Sequence, residues 1–414
     1  MQIVKGLCTS ANVMVDEIDE ATENQIIAIC SQSTFKDAKI RIMADTHAGK
    51  GVPIGFTAVC TNDIVIPNLV GVDIGCSVSA IKLNLSVSNI DLQKLDNVIR
   101  KYIPCGNVVH SDFSHIGDIN PYSAMEYVDG RIHKIAQEIG HGDKVDYYFR
   151  SLGTLGGGNH FISIEVDEEN NPWILVHTGS RNFGYEICTY HQQKAVKQCE
   201  ELNNKDYNTL LEHIEPKLRQ QWIKDNPKEK INLDYAYLSG DDAKLYRHHA
   251  YDAEMYAVTN HELILSIILK NMLWEDAITT LTQICTTHNY IENFPDGSFI
   301  IRKGAVSAKK DEQLLIPLNM ADGTLVCTGK GNEDWNCSAP HGAGRLMSRN
   351  AAKETLSLDD FQKSMSGIWS TCIKQSTIDE APMAYKNADF IKSNIGDVVS
   401  IDHHLKPIYN FKAN

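Results

Sequence analysis

The 414-residue sequence predicts an α+β fold, mixed sheets with a block of helices in the middle of the chain, rather than a doubly wound sheet. Two observations predict it. β-rich runs punctuated by Gly, Asp and Asn fill the first hundred residues and return after Ser151 and after Ile291, whereas helical spacing dominates between Glu186 and Trp274. Strands and helices therefore come in blocks, not in alternation. The composition, 43% hydrophobic and 22% charged, is that of an ordinary folded chain and excludes collagen-like, coiled-coil and disordered readings.

Taken in order, Ile40 to Ala44, Gly55 to Val59, Ile64 to Val70 and Val78 to Leu83 read as strands. From Asn89 to Gly140 the pattern turns helical, with Leu92, Leu95, Val98 and Ile99 three and four residues apart. Phe161 to Glu165 and Trp173 to His177 fit buried or half-buried strands. The clearest helix runs from Asp241 toward Asn271: Tyr246, Ala250, Ala253, Ala257 and Leu263 share one face, and Asp241 and Asp242 suit the positive end of its dipole. The remainder, Ile291 to Asn414, reads as strand and loop with a helix near Gly342 to Leu356. No fixed-period repeat, low-complexity tract or linker marks a domain boundary.

The most apolar stretch, Ile264 to Leu269, is far below the roughly 20 residues of a membrane span. Met1 to Val15 contains no secretory pattern, so the cytoplasm is the expected compartment. Eleven cysteines, an odd number without a Cys-x-x-Cys pair, argue against zinc ribbons and a disulfide framework. With 39 basic and 53 acidic residues the net charge is −14, which argues against gripping a nucleic acid through the whole-body field. A polyanion would have to be held locally, by a basic pocket or a bound divalent metal.

Five places carry residues suited to chemistry. Gly71-Val72-Asp73-Ile74-Gly75-Cys76 puts a carboxylate and a thiol at a glycine-marked turn, although a turn aspartate beside a buried cysteine is the ordinary explanation. Gly153 to His160 is a glycine-rich loop that could approach phosphate oxygens, or simply a hairpin loop; it lacks the Lys-Ser/Thr ending of a triphosphatase phosphate loop. His177 and His288 stand near strand ends, where a core histidine is the plain alternative. Finally, Cys337 to Arg345 places His341 between a proline and a Gly-Ala-Gly turn expected to open a helix, which suggests a nucleophile or phosphate site, or merely a capping histidine. As a set, thiol, carboxylate and strand-end histidines suit one or two transition-metal ions.

Met43 to Gly49, Gly71 to Cys76, Leu155 to Phe161, His177 to Arg181, His288-Asn289 and His341 to Arg345 resemble, in the same order, the motif series of the RtcB family of RNA-splicing ligases. The resemblance covers nearly the whole chain. It implies one catalytic domain over 1–414, with 186–275 as a helical insertion, and a GTP- and manganese-dependent enzyme. Its substrates would be RNA ends, a 3′-phosphate or 2′,3′-cyclic phosphate joined to a 5′-hydroxyl, as tRNA halves or nicked RNA.

Carried over residue by residue, Cys76 would bridge two Mn2+ ions, Asp73 and His160 completing one site and His177 and His288 the other. His341 would attack the α-phosphate of GTP. Asn159 and the turn Gly342, Ala343, Gly344 and Arg345 would hold phosphate, with Asn289 flanking guanosine. Pro317, Leu318, Asn319, Met320, Thr324, Tyr385 and Lys412 match guanine-pocket positions, Asn319 and Thr324 replacing common serines. The family commonly has a glutamate where this chain has Ser163; Glu165, two residues on, would share its strand face. Arg181, Arg302, Lys303, Arg345 and Arg349 are candidates to grip RNA, or plain solvated surface. A metal-dependent phosphohydrolase that opens cyclic phosphates without sealing, or a non-catalytic nucleotide- or RNA-binding protein, are the alternatives.

Overall fold

The computed structural model describes residues 1–118, 125–228 and 230–413. The chain opens with β1 (Gln2–Lys5), β2 (Ser10–Val13), helix α1 (Glu20–Cys30), β3 (Lys39–His47) and β4 (Ile54–Cys60). The short β5 (Ile64–Val65) leads into a single turn, α2 (Pro67–Val70), and then β6 (Ser77–Leu83). The strand expected over Ile64 to Val70 therefore stops at Val65. Pro67 has no N–H for a ladder, and its fixed φ suits the first turn of a helix.

Three helices follow, α3 (Leu92–Tyr102), α4 (Met125–Glu138) and α5 (Val145–Ser151). Of the helical stretch expected over 89–140, residues 119–124 lie outside the described residues. Asp91 caps α3 by accepting from the Lys94 N–H at 2.9 Å, and the apolar face of that helix is buried as its spacing requires. Strands β7 (Phe161–Val166) and β8 (Pro172–Thr178) are followed by α6 (Arg181–Glu212), α7 (Arg219–Asp225), β9 (Leu238–Ser239) and α8 (Gly240–Met272). The expected core stripe of α8 is buried: Tyr246, Ala253, Ala257 and Leu263 are each 0% exposed. No helix among the described residues is long and apolar enough to cross a membrane.

The last part holds β10 (Ile278–Thr287), β11 (Asn289–Asn293), β12 (Phe299–Lys303), β13 (Ala305–Ser307), β14 (Gln313–Asn319), β15 (Gly323–Gly329) and β16 (Ser338–Pro340). It closes with α9 (Arg349–Thr355), α10 (Leu358–Ser364), α11 (Ala388–Asn394) and β17 (Val399–Lys412). The helix expected from Gly342 begins only at Arg349, where the Ser348 hydroxyl caps it by accepting from the Ala351 N–H. Residues 342–348 are instead a loop, so His341 follows strand β16 rather than a helix N-terminus.

Two large sheets result. One has the order β1-β2-β3-β4-β12-β11, the other β10-β6-β8-β7-β17-β15-β14. Pairing is antiparallel throughout both except for β2 with β3. Strand β10 ends at Thr287 on the edge of the second sheet and β11 starts at Asn289 on the edge of the first, so His288 is the single residue at which the chain steps between sheets. Helix α8 backs the second sheet, packing Ile264 and Ile268 against Ile81, Ile162, Ile174 and Val176 in one apolar cluster. Burying such side chains contributes about 1.5–3 kcal/mol each and makes the sheet a rigid platform for whatever its strand ends carry.

Candidate active site

Register explains why residues so distant in sequence meet. Across β6, β8 and β7, Ser77 pairs with Thr178 and Phe161 with His177, while Thr287 of β10 also pairs with Ser77. The residues just before β6 and β7, the end of β8 and the residue after β10 thus lie along one edge of the sheet. These are Cys76, His160, His177 and His288. Lys412 at the end of β17 pairs with Phe161 and joins them. The turn before β6 is fixed by Gly75, whose φ of +75° suits glycine and whose Cα faces α8 so closely that a Cβ would lie 2.8 Å from the Glu254 Cα.

The side chains converge accordingly. Cys76 Sγ is 3.5 Å from His160 Nε2 and 3.3 Å from His177 Nε2, and Asp73 Oδ2 is 3.6 Å from His160 Nε2. Rings continue the line, with centroids of His177 and His288 5.2 Å apart and of His288 and His341 4.8 Å apart. The carbonyl of Leu155 holds His160 Nδ1 at 2.8 Å, which orients the other nitrogen toward the cluster in the manner of a metal ligand. Asn289 ties the turn down, donating to the Asp73 carbonyl at 3.2 Å and accepting from the Gly304 N–H at 3.0 Å.

Electrostatics of the cluster suit a cation. Burial, then the neighbouring imidazoles, hold His177 well below its usual range, and burial followed by His341 does the same to His288, so both present neutral imidazoles with a free lone pair. Burial pushes Asp73 upward, but the His160 hydrogen bond and charge outweigh it and hold the carboxyl at about 2. Burial and then Asp73 drive the Cys76 thiol well above its ordinary range, a state that an adjacent cation would reverse. Ligand atoms of Cys76, His160 and His177 all lie within 4.8 Å of one another, and this soft, mixed donor set fits a transition metal.

His341, just after β16, which pairs with β13 in a separate two-stranded ribbon, lines the same cavity. Its Nδ1 lies 2.6 Å from Oδ2 of Asp45, a fully buried residue on β3 that also accepts the His341 N–H at 3.2 Å. That contact fixes the tautomer and leaves Nε2 as the ring nitrogen available to react. The loop after His341 wraps Asp45: Gly344 has φ +75°, and a Cβ there would sit 2.0 Å from the Asp45 carbonyl oxygen. Asp45 was contained in the motif Met43 to Gly49, yet nothing in spacing marks it as the partner of a residue 296 positions away.

The cavity, about 380 Å³, is lined by Asp73, Cys76, Asn159, His177, His288, Asn289 and His341 and also by Pro317 to Met320, Thr324, Gly342 to Arg345, Tyr385 and Lys412. At one wall Glu380 gathers cations and a phenol: Lys412 Nζ at 3.0 Å, Arg349 at 2.6 Å, Arg345 at 3.4 Å and the Tyr385 hydroxyl, which donates at 2.7 Å. Lys412 also donates to the Asn159 carbonyl at 3.0 Å. Glu380 is a second residue that sequence reasoning missed. Asn319 spends its side-chain oxygen on the N–H groups of Ala321 and Asp322 in a local turn.

Three of the five candidate RNA contacts are placed otherwise than expected. Arg302 is 1% exposed and bonded to Glu292 and the Tyr290 hydroxyl, because β12 lies between β4 and β11 and is buried along its whole length. Lys303 is buried and donates to the Lys50 carbonyl, and Arg181 is spent on Thr154 and the Gly106 carbonyl, bracing the glycine-rich loop. Arg345 and Arg349 do reach the cavity.

Comparison with known proteins agrees with this arrangement. The family described as "tRNA-splicing ligase RtcB" matches residues 27–413. "RNA-splicing ligase RtcB" of Escherichia coli K12 is 31% identical over 409 residues, covering 95% of each chain. "RNA-splicing ligase RtcB1" of another E. coli strain is 30% identical with the same coverage, and "tRNA-splicing ligase RtcB" of Nanoarchaeum equitans is 26% identical over 88% of this chain and 84% of its own. The match extends through both sheets and both faces of the cavity, and the chain belongs to the RtcB family.

Proposed function

We propose that the protein is an RNA ligase that uses GTP to join a 3′-phosphate or 2′,3′-cyclic phosphate end to a 5′-hydroxyl end, as in tRNA splicing or RNA repair. The observation that carries the reading is the Asp45–His341 pair, an oriented imidazole facing a cavity that also holds the Cys/His/Asp cluster. Nε2 of His341 attacks the α-phosphorus of GTP; the N–P bond forms, pyrophosphate leaves, and Asp45 stabilises the positive charge gathering on the ring through Nδ1–H. The RNA 3′-phosphate then takes GMP from His341, which regains its lone pair. The 5′-hydroxyl finally attacks the activated 3′-phosphorus, forming the phosphodiester and releasing GMP.

Asp73, Cys76, His160, His177 and His288 offer a donor set that would hold Mn2+. Such ions supply Lewis-acid neutralisation of phosphate charge. Lys412, Arg345 and Arg349 would orient phosphates, and the hydrophobic wall of Pro317, Leu318 and Met320 would flank the nucleoside. Phosphohydrolysis alone gives the Asp45–His341 pair no task. Incubation with Mn2+ and α-labelled GTP should yield acid-labile label on the chain that is absent in His341→Ala. Label that persists in His341→Ala, or no label with Mn2+ or other divalent metals, would overturn the proposal.

A further inference from the structure

Cys76, His160 and His177 reach one another from three different strand ends, and the groups that fasten those ends lie behind the sheet, on α8. There two adjacent polar residues, Asn260 and His261, are 0% and 1% exposed, between the buried Tyr256 and Ala257 and the buried Leu263 and Ile264. Neither is among the residues that line the cavity. Nδ2 of Asn260 has the Thr154 carbonyl, the Thr178 hydroxyl and the Gly179 carbonyl each at 3.1 Å, and its Oδ1 accepts from the Thr154 N–H at 3.1 Å. The Thr178 hydroxyl donates onward to the Leu155 carbonyl at 2.9 Å, the same oxygen that holds His160 Nδ1. Nε2 of His261 is 3.2 Å from the Thr178 carbonyl, which can only accept, so this nitrogen carries the hydrogen, and it also serves Ser77 Oγ at 2.9 Å. The Ser77 hydroxyl in turn donates to the Gly75 carbonyl at 3.1 Å, bracing the chain on both sides of Cys76. Polar side chains this deep are tolerated only when paired. Here each partner lies on a segment that carries one of the three donors.

We propose that Asn260 and His261 are positioning residues that set the metal-binding geometry of Cys76, His160 and His177 from behind the sheet. The inference rests on the metal-dependent reading above and deepens it. Strand pairing places Ser77 opposite Thr178 and Phe161 opposite His177, but the loop from Gly153 to Asn159 belongs to no strand. Its glycines offer no side chains to pack, so contacts from outside must place it, and Asn260 fastens Thr154 to the end of β8. His261 does the same between β6 and β8. Removing a partner of this kind, one layer behind the donors, lowers metal affinity by about 10- to 100-fold.

The test follows Mn2+ binding to the full chain by calorimetry and Co2+ binding by the thiolate-to-metal absorption of Cys76, beside the melting temperature without metal. Thr178→Val removes one hydroxyl at nearly constant volume and should weaken binding by about tenfold or more, whereas Thr178→Ser, which keeps the hydroxyl, should stay within about threefold of native. Asn260→Ala and His261→Ala should weaken it by about 10- to 100-fold and shift the cobalt spectrum, because the donors remain but their geometry changes. Native affinity and an unshifted spectrum in Thr178→Val would overturn the proposal even where the α8 variants fail to fold. Equal weakening in Thr178→Ser, or lowered melting temperatures with unchanged affinity, would also overturn it, by assigning these residues to packing alone. A native protein that binds neither ion would remove the metal reading itself, a result distinct from failure of the variants.

Discussion

Replacing Asp45 by Asn isolates what the buried carboxylate does for His341. The side chain keeps its shape and one acceptor for the His341 backbone N–H, 3.2 Å away, so the loop should stay in place. What is lost is the negative charge at 2.6 Å from Nδ1, in a position with 0% exposure, where solvent screens little. Hydrogen bonds to charged groups are worth about 1.5–3 kcal/mol, which converts to a rate of guanylate transfer to His341 about 10- to 150-fold slower. The measurement is single-turnover labelling with α-labelled GTP in Mn2+ over a range of nucleotide concentrations. Because the phosphate contacts proposed at Lys412, Arg345 and Arg349 lie elsewhere, the KM for GTP should stay near the native value while kcat falls. A kcat within about twofold of native, with an unchanged melting temperature, would refute the positioning role of Asp45.

Further outcomes follow from the same geometry. Gly344→Ala should cost about 1–3 kcal/mol from its left-handed backbone alone, and more from the collision with the Asp45 carbonyl, read as a lowered urea midpoint together with lost labelling. Metal analysis should find less bound Mn2+ in Cys76→Ala and His177→Ala and native content in His341→Ala; full content in the Cys76 variant would contradict its place in the cluster. Burial raises Glu165 from 4.5 to about 7, so the native state holds a proton that the unfolded chain releases: this stability is fully present below about pH 4.5 and is lost as pH climbs through 7. Thermal melts of Glu165→Gln, which cannot ionise, should therefore gain on the native protein between about pH 5 and 7, on the order of 1 kcal/mol per pH unit, and parallel curves would count against it. Glu380→Gln leaves the buried Lys412 without its counter-charge, so GTP should raise the melting temperature of this variant by more than that of the native chain.

Much of the fold was legible because local pattern and tertiary role agree. The α8 stripe and the strands around residues 40–44, 55–59, 78–83, 161–165 and 173–177 stand where their periodicity puts them. The candidate ligands were legible as residue types, polar groups at strand ends, but their convergence depends on the β10-β6-β8-β7-β17 order, which no spacing encodes. Where the reading failed, a competing local rule had won. Pro67 ended a strand that its apolar neighbours favoured, and a serine cap at 348 displaced a helix start that the glycines near His341 suggested. Arg302 and Lys303 looked like surface cations because sequence cannot show that β12 lies between two other strands. Asp45 and Glu380 were invisible for a related reason: Asp45 acts through His341, 296 residues away, and Glu380 gathers Lys412 from the last strand together with Arg345, Arg349 and Tyr385.

The charge balance takes a different meaning once the cavity is described. The chain carries a net charge of −14, yet Lys412, Arg345 and Arg349 meet at one wall of the cavity beside Glu380 and Asp379. Those carboxylates do more than neutralise. Burial tends to push Glu380 upward, but Lys412 and Arg349 hold it below its usual range, so it stays ionised and keeps three long side chains ordered before any phosphate arrives. An arriving phosphate then exchanges one set of anionic partners for another and orders little that is not already ordered. Arg302 and Lys303 are committed inside the fold and so do not add to that wall. On the proposed reading, recognition would be concentrated at the phosphate placed among these cations, and an acidic surface would favour a chain end over the body of a polyanion.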